Sequence, residues 1–284
     1  MIKSNRLLIK YIRTKFYILS KISKKYCAKK AFDLFCTPFF KVPELHASSI
    51  KYAEALNFKL NGLNVKGYRW NKGGVQRVLI IHGFSSGLAN FYHFVTPLTS
   101  KNLEVLAFDA PAHGASEGKR LNTVIYSDMI KMVIELFGPI EYFITHSYGG
   151  LALCLALEQL PGNERTKAVL IAPASENSTA VEGAFKLLGM NDQGVQKEFY
   201  KLIYKVSGNP INWFSIKRAL PNIKAKILWI HDEKDDVTPI TDAKTALAGN
   251  PPNVKFIITN GLGHRKIYRD PTVVNTVISF LENG

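Results

Sequence analysis

Six short stretches of almost unbroken apolar residues restrict the folds open to this chain. They are RVLIIHG (77–83), EVLAFDAP (104–111), YFITHS (142–147), AVLIAPA (168–174), KILWIHD (226–232) and VKFIITNG (254–261). None alternates apolar with polar residues as a strand with one wet face would, so each reads as a strand buried on both faces of a parallel sheet. Helical segments stand between most of them, near 90–100, 121–137, 149–160, 240–248 and 271–282. Strand alternating with helix predicts an α/β fold: a doubly wound, mostly parallel sheet with helices on both faces.

Two further segments extend that plan. AEALNFKL and LNVKGYRW, joined at Asn61-Gly62, read as an antiparallel hairpin. Between Ala174 and Lys226 the gap exceeds what one crossover needs. AVEGAFKLLGM, GVQKEFYKLIYKV and NWFSIKRAL within it have helical spacing and predict a small helical cap at about 175–222. Such a cap is expected over the carboxyl edge of the sheet, where open α/β sheets bind ligands. Its aromatic and aliphatic residues suit either an apolar acyl pocket or the cap's own packing.

The formal charge of the 284 residues is +15, and its location matters more than its size. Residues 1–41 hold nine lysines and two arginines against the single acid Asp33, a net +10. A basic N-terminal arm (1–41) therefore precedes a domain of ordinary charge (42–284), with the proline-bearing CTPFFKVPE (36–44) as the joint. The body carries no recognised nucleic-acid motif, so no nucleic-acid partner is expected. The longest uncharged stretch of the arm's basic helix, FYILS (16–20), is far too short for an export signal or a membrane span. Leu8, Ile12, Phe16, Leu19, Ile22 and Tyr26 recur at helical steps, with Lys3, Arg6, Lys10, Arg13, Lys21 and Lys24 mostly on another face. That is a basic amphipathic helix. Residues 1–35 then suit an anionic membrane surface; alternatively the stripe docks on the body or on a second subunit. Cys27, Cys36 and Cys154 show neither C-x-x-C nor metal spacing, so a reducing compartment or simple core packing is the default reading, and a cytoplasmic protein, peripheral at the membrane if the arm binds lipid, is expected.

The loops that follow the strands carry the chemistry. In chain order they read IHGF, FDAPAHGAS, HSYGG, HDEKDDVTP and GLGHR. Together they resemble the α/β-hydrolase superfamily over roughly residues 50–284: an oxyanion loop, a D-x-x-G-H-G-x-S segment, a nucleophile elbow, an acid loop and a catalytic-histidine loop. The resemblance implies a nucleophile at Ser147, an acid at Asp235 and a base at His264, in the chain order Ser, Asp, His. It implies oxyanion donors at the backbone N–H groups of Phe84 and Tyr148.

The residue chemistry agrees. A serine hydroxyl is a poor nucleophile until a neighbouring base takes its proton, and that base needs a third group to fix its tautomer. Ser147 has a plainer reading as a helix N-cap. Thr145 stands where the elbow pattern has glycine, and a β-branched residue there is expected to crowd the turn. His264 competes with His46, His82, His93, His113, His146 and His231. Of these, His82 and His113 match structural loop braces of the family, His146 should point away from the nucleophile, and His231 is an interior strand residue. Asp236 is the second candidate for the acid; Asp232 departs from the family's usual glycine; Asp109 is expected to tie loops together. No cluster has metal-ligand spacing and no loop matches a phosphate or dinucleotide cradle, so neither metal nor cofactor is implied.

The expected function is that of a serine hydrolase cleaving a small-molecule carboxylic ester through an acyl-enzyme on Ser147. Lipid-like esters, thioesters and amides fall within the same chemistry. The same triad would serve an acyltransferase, and a non-catalytic ligand-binding member of the fold is the reading from another class. Serine at the nucleophile position argues against the dehalogenase and epoxide-hydrolase branches, which place aspartate there.

Overall fold

The computed structural model of the chain describes residues 2–43, 47–162 and 165–283. Its strands are β1 (Ala53–Leu60), β2 (Leu63–Trp70), β3 (Arg77–Ile81), β4 (Glu104–Phe108), β5 (Tyr142–His146), β6 (Lys167–Ile171), β7 (Lys226–Asp232) and β8 (Val254–Thr259). The longer helices are α1 (Ile2–Ile22), α2 (Lys24–Phe35), α3 (Thr123–Phe137), α4 (Tyr148–Leu157), α5 (Asn177–Leu188), α6 (Gln193–Ser207), α7 (Ile240–Ala246) and α8 (Pro271–Glu282). The chain divides into two compact units. One comprises Met1–Thr37 with Glu176–Phe214, the other Pro38–Ser175 with Ser215–Gly284.

The larger unit holds the sheet, ordered β1-β2-β4-β3-β5-β6-β7-β8. β1 pairs with β2 and β2 with β4 antiparallel, and every other pairing is parallel. This is the doubly wound α/β architecture that the apolar runs predict. The hairpin turns at Asn61 and Gly62, both at positive φ, as a two-residue hairpin turn requires. β4, β5 and β6 are buried along their whole length, and β3 and β7 everywhere but at the first residue. On one face Val78, Ile80, Val105, Ile144, Val169 and Leu228 join Val273, Val277 and Leu281 of α8 in one buried cluster. Alternate residues point to the other face, where Ile81 meets the start of α4 at Gly149. Two-sided cover is why these strands read as continuous apolar runs.

The smaller unit is helical. The arm is two helices rather than one, because Ser23 is extended (φ −156°) and its hydroxyl accepts the Tyr26 N–H at 3.2 Å, capping α2. These helices pack against α5 and α6 of the insertion. Phe32 and Phe35 meet the Phe199 ring edge-on at 5.7 and 6.1 Å, and Phe185 meets it at 5.0 Å. Arg13 Nε donates to Leu187 O at 2.8 Å, and Lys24 pairs with Asp192, whose carboxylate caps α6. Residues 215–222, read from sequence as the end of the cap, belong to the sheet unit. Of the stripe read along the arm, Phe16 is buried and Ile12 and Leu19 are half-buried, while Leu8, Ile22 and Tyr26 are exposed. Among the described residues no helix is long and apolar enough to cross a membrane.

Candidate functional site

Ser147 sits between β5 and α4 with φ 54° and ψ −123°, a conformation that non-glycine residues adopt only under constraint. The constraint is visible on both sides. Its N–H donates to Ile171 O at 3.0 Å, and its carbonyl accepts from Gly150 N and Ala174 N, each at 3.0 Å. The side chain makes no capping bond to α4, so the hydroxyl is not an N-cap. The helix can start this abruptly because of the two glycines. A Cβ at Gly149 would lie 2.6 Å from His82 O, and one at Gly150 would lie 2.8 Å from Pro173 Cβ and 3.3 Å from Thr145 Oγ1.

The crowding expected at Thr145 does not occur. Thr145 is still in the ladder, paired with Ile81 on one side and Leu170 on the other. Its hydroxyl donates to Val169 O at 2.9 Å, and the absent side chain at Gly150 leaves the room it needs.

The Ser147 hydroxyl lies 3.0 Å from His264 Nε2. His264 enters from the loop after β8, in the short helical turn Gly263–Lys266. Its Nδ1 lies 2.8 Å from Asp235 Oδ2, in the loop after β7. Those partners assign the proton to Nδ1 and turn the Nε2 lone pair toward the serine. Asp235 also accepts Val237 N–H at 2.9 Å and Thr238 N–H at 2.7 Å on Oδ1. Burial pushes this carboxyl up, but the His264 bond and charge, with the two backbone donors, outweigh it and hold the group below the usual carboxylate range. Asp236 is exposed. The sequence-derived residues Ser147, Asp235 and His264 thus form one hydrogen-bonded line from three different loops.

Phe84 and Tyr148 flank the line, their rings edge-on at 5.7 Å. A Cβ at Gly83 would lie 3.1 Å from Ser147 Cβ, so the loop bearing Phe84 runs directly beside the serine. Tyr148 opens α4, placing its N–H in the helix's first turn.

The remaining histidines brace the loops. His82 Nδ1–H donates to Gly83 O at 2.7 Å and Nε2 accepts Ala110 N–H at 2.9 Å; His113 donates to Pro111 O and accepts Ser85 N–H, both at 3.0 Å. Burial pushes their pKa values down to about 4 and about 3. His231 donates to Thr238 O at 2.8 Å and accepts Trp229 Nε1–H at 3.3 Å. His93 bonds Tyr268 O at 2.8 Å, and His46 lies outside the described residues. Asp109 ties loops as expected, accepting Leu88 N–H at 2.9 Å and Ala115 N–H at 3.0 Å. His146 packs on the His264 ring, centroids 4.6 Å apart, and donates from Nε2 to His264 O at 2.9 Å.

Two contributors escaped the sequence reading. Thr238 Oγ1 lies 2.9 Å from Asp235 Oδ2 and 3.1 Å from His264 Nδ1, at the junction of acid and base. Asp232, where glycine was expected, accepts Thr259 Oγ1–H at 2.7 Å, Leu262 N–H at 3.0 Å and Lys234 N–H at 3.0 Å. It thereby fixes the loop that delivers His264. Burial raises its pKa, but these bonds outweigh the burial and lower it. The acidic residue followed at two or three positions by its own backbone donors, as in Asp235-Asp-Val-Thr238, is the local signal for such a turn. Among the described residues no group of His, Cys, Asp or Glu could hold a metal ion.

The fold recurs in known proteins. Over 107 residues the chain is 30% identical to a Bacillus subtilis (strain 168) protein named uncharacterized hydrolase YugF, a match spanning 36% of this chain and only 39% of that one. The Pyrococcus furiosus esterase Pf2001 has a similar structure, with TM-score 0.64 and 18% identity, covering 87% of this chain and 96% of that chain. A membrane phospholipase A, described as a bacterial virulence factor, matches with TM-score 0.60 at 15% identity over 100% of both chains. At such identities the structural likeness concerns the fold alone. The sequence model of the alpha/beta hydrolase family, however, matches residues 78–276, from the second residue of β3 into α8 and through every loop of the site. With more than half of its length so matched, the chain belongs to the alpha/beta hydrolase family.

Proposed function

We propose that the chain is a serine hydrolase that cleaves a carboxylic ester through an acyl-enzyme on Ser147. The observation that carries this reading is the line from Ser147 Oγ through His264 to Asp235, at 3.0 and 2.8 Å. As Oγ bonds to the acyl carbon, its proton passes to His264 Nε2. Asp235 holds Nδ1–H and balances the imidazolium that forms. The oxyanion of the tetrahedral intermediate is received by the N–H groups of Phe84 and Tyr148; one such donor is typically worth about 10²–10³ in rate. The imidazolium then protonates the leaving alkoxide, and the alcohol departs. Water gives a proton to Nε2 as it attacks the acyl carbon, and that proton returns to Ser147 Oγ as the acid leaves. Thioesters and amides would follow the same steps, and an acceptor other than water would make the outcome acyl transfer.

The substrate class favoured is a lipophilic ester met at an anionic membrane surface through residues 1–35. The supports are a net +10 in residues 1–41 and similar folds in an esterase and a membrane phospholipase A. A fluorophosphonate probe tests the chemistry: it should label wild type at Ser147 and leave Ser147→Ala unlabelled. A folded wild-type protein that resists labelling and hydrolyses no member of an ester panel graded by acyl length would favour the non-catalytic, ligand-binding reading.

A further inference from the structure

We propose that one particular face of α1 docks on an anionic lipid bilayer: the row Leu7, Tyr11, Ile18 and Ile22, bordered by Lys10, Lys15 and Lys21. The insertion helices packed against the opposite face are thereby the part of the protein carried at the membrane. This rests on the peripheral siting proposed above, and adds which face binds and what it brings with it.

The four apolar residues stand four, seven and four positions apart. At about 100° per residue they fall within about 60° of one another, along about 22 Å of helix. Each is exposed, by 69, 64, 52 and 74% respectively. A single exposed leucine is ordinary, but an apolar row of this length is a patch that asks for a partner. By the same angular count Lys10 and Lys21 border the row on one side and Lys15 on the other, all three exposed. The rotation of α1 is fixed from its other face. Phe16 and Ser20 are buried there, Ile12 and Leu19 are half-buried, and Arg13 is bonded to Leu187 O at the end of α5. The apolar residues that bind the insertion and those that face outward are therefore different sets.

Charge selects the occupant. Ile2–Ile22 carries six basic residues and no acid. A second copy of the helix would bring like charges together, whereas an anionic bilayer supplies the opposite sign. The same six charges prevent the helix from crossing, so it lies in the plane of the surface. Tyr11 suits the headgroup level, with an apolar ring and a polar tip.

The test is co-sedimentation of the full-length protein with vesicles of phosphatidylcholine alone or mixed with phosphatidylglycerol. Wild type should pellet with the mixed vesicles and be released by salt. The triple variant Tyr11→Ser/Ile18→Ser/Ile22→Ser should bind at least about tenfold more weakly, because apolar burial and charge act together. Tyr52→Ser/Val75→Ser, which removes equally exposed apolar groups from the sheet unit, should bind as wild type does. Wild type that pellets while the triple variant pellets equally well overturns the face but leaves peripheral siting standing. Wild type that never pellets overturns both. If the triple variant instead converts a dimer to a monomer in light scattering and keeps its vesicle binding, the face belongs to a second copy and the proposal fails. Should the triple variant not fold, Ile18→Trp decides: its emission must shift to the blue on adding mixed vesicles, and an unchanged spectrum rejects the face.

Discussion

The two units of this protein are held together by different means, and the difference explains where each keeps its unusual features. In the sheet unit, ladders of backbone hydrogen bonds set the register of eight strands, and β4, β5 and β6 are wholly buried. A frame so over-determined tolerates a strained serine at φ 54° and several buried, uncharged histidines. The helical unit has no ladder among its described residues. Two segments far apart in the chain meet through a few aromatic rings, three of them converging on Phe199. Its described residues hold no non-glycine residue at positive φ, and it exposes its unusual feature, an apolar row on α1, to solvent. Strain is kept where structure is redundant, and exposed apolar surface where packing is sparse.

The sharpest way to break this contrast is to separate activity from stability at the elbow. Ser147→Ala and His264→Ala should each lower kcat/KM for an ester by about 10⁴-fold or more while the fold persists. Asp235→Asn should cost about 10⁴-fold by favouring the wrong histidine tautomer, and Asp236→Asn, at an exposed position, should cost little. Ser147→Gly should also abolish turnover but raise stability by about 1 kcal/mol, because glycine relieves the positive φ. A thermal melt lower than wild type for Ser147→Gly would remove the argument that the sheet stores strain there.

Between pH 7 and 5 acid should weaken the sheet unit first. Burial holds His82, His113 and His146 to folded pKa values of about 4, about 3 and about 3, against 6.5 when unfolded. The folded chain therefore binds fewer protons than the unfolded chain below pH 6.5. The stability these groups contribute is fully present above 6.5 and is lost as pH falls toward 4, by about 1.4 kcal/mol per group per pH unit. Residues 1–37 and 176–214 contain no histidine at all. Hydrogen exchange followed from pH 7 to 5 should show weakening protection in β3–β7, and a helical unit that weakened first would contradict the assignment.

The helical unit has the opposite weakness. Phe199→Ala should cost about 3–5 kcal/mol, since the cavity lies where arm and insertion meet. Protection should vanish from 1–37 and 176–214 together and persist in β3–β7. Loss in only one of the two segments would show that they do not form a cooperative unit.

What could be read in advance follows the same division. Both strands of the hairpin coincide with the segments read around Asn61-Gly62 and β7 with its apolar run, and the five loops place Ser147, Asp235 and His264 in order, because turn residues, two-sided burial and the chemistry of each loop are written locally. The union of arm and insertion was not legible: a helical period names a face but not what covers it, and Ser23 divides the stripe between two helices. Thr238 and Asp232 were missed for a related reason. Asp232 is met by backbone N–H groups and a hydroxyl, and Thr238 meets the Asp235 carboxylate and the His264 ring, all brought near by the turns themselves, which residue identity alone does not announce.

The smallest effect is expected at Thr145, and it tests how literally an elbow pattern should be taken. The pattern asks for glycine there, which makes Thr145→Gly look like a repair. The register argues otherwise. Thr145 is a strand residue, fully buried, with its hydroxyl on Val169 O, and the space that a glycine at 145 would provide is already provided by Gly150. Thr145→Val keeps the shape but leaves the Val169 carbonyl without this donor, for a loss of about 1 kcal/mol. Thr145→Gly adds lost packing and a flexible residue inside a central strand, for a loss of about 2 kcal/mol in total. Turnover should fall by less than about tenfold in either variant, since neither side chain touches the reacting atoms. Chemical denaturation gives the first quantity and ester kinetics the second. If Thr145→Gly turned over faster than wild type without loss of stability, the threonine would be crowding the elbow after all, and the redundancy ascribed to the sheet would stop one residue short of the serine.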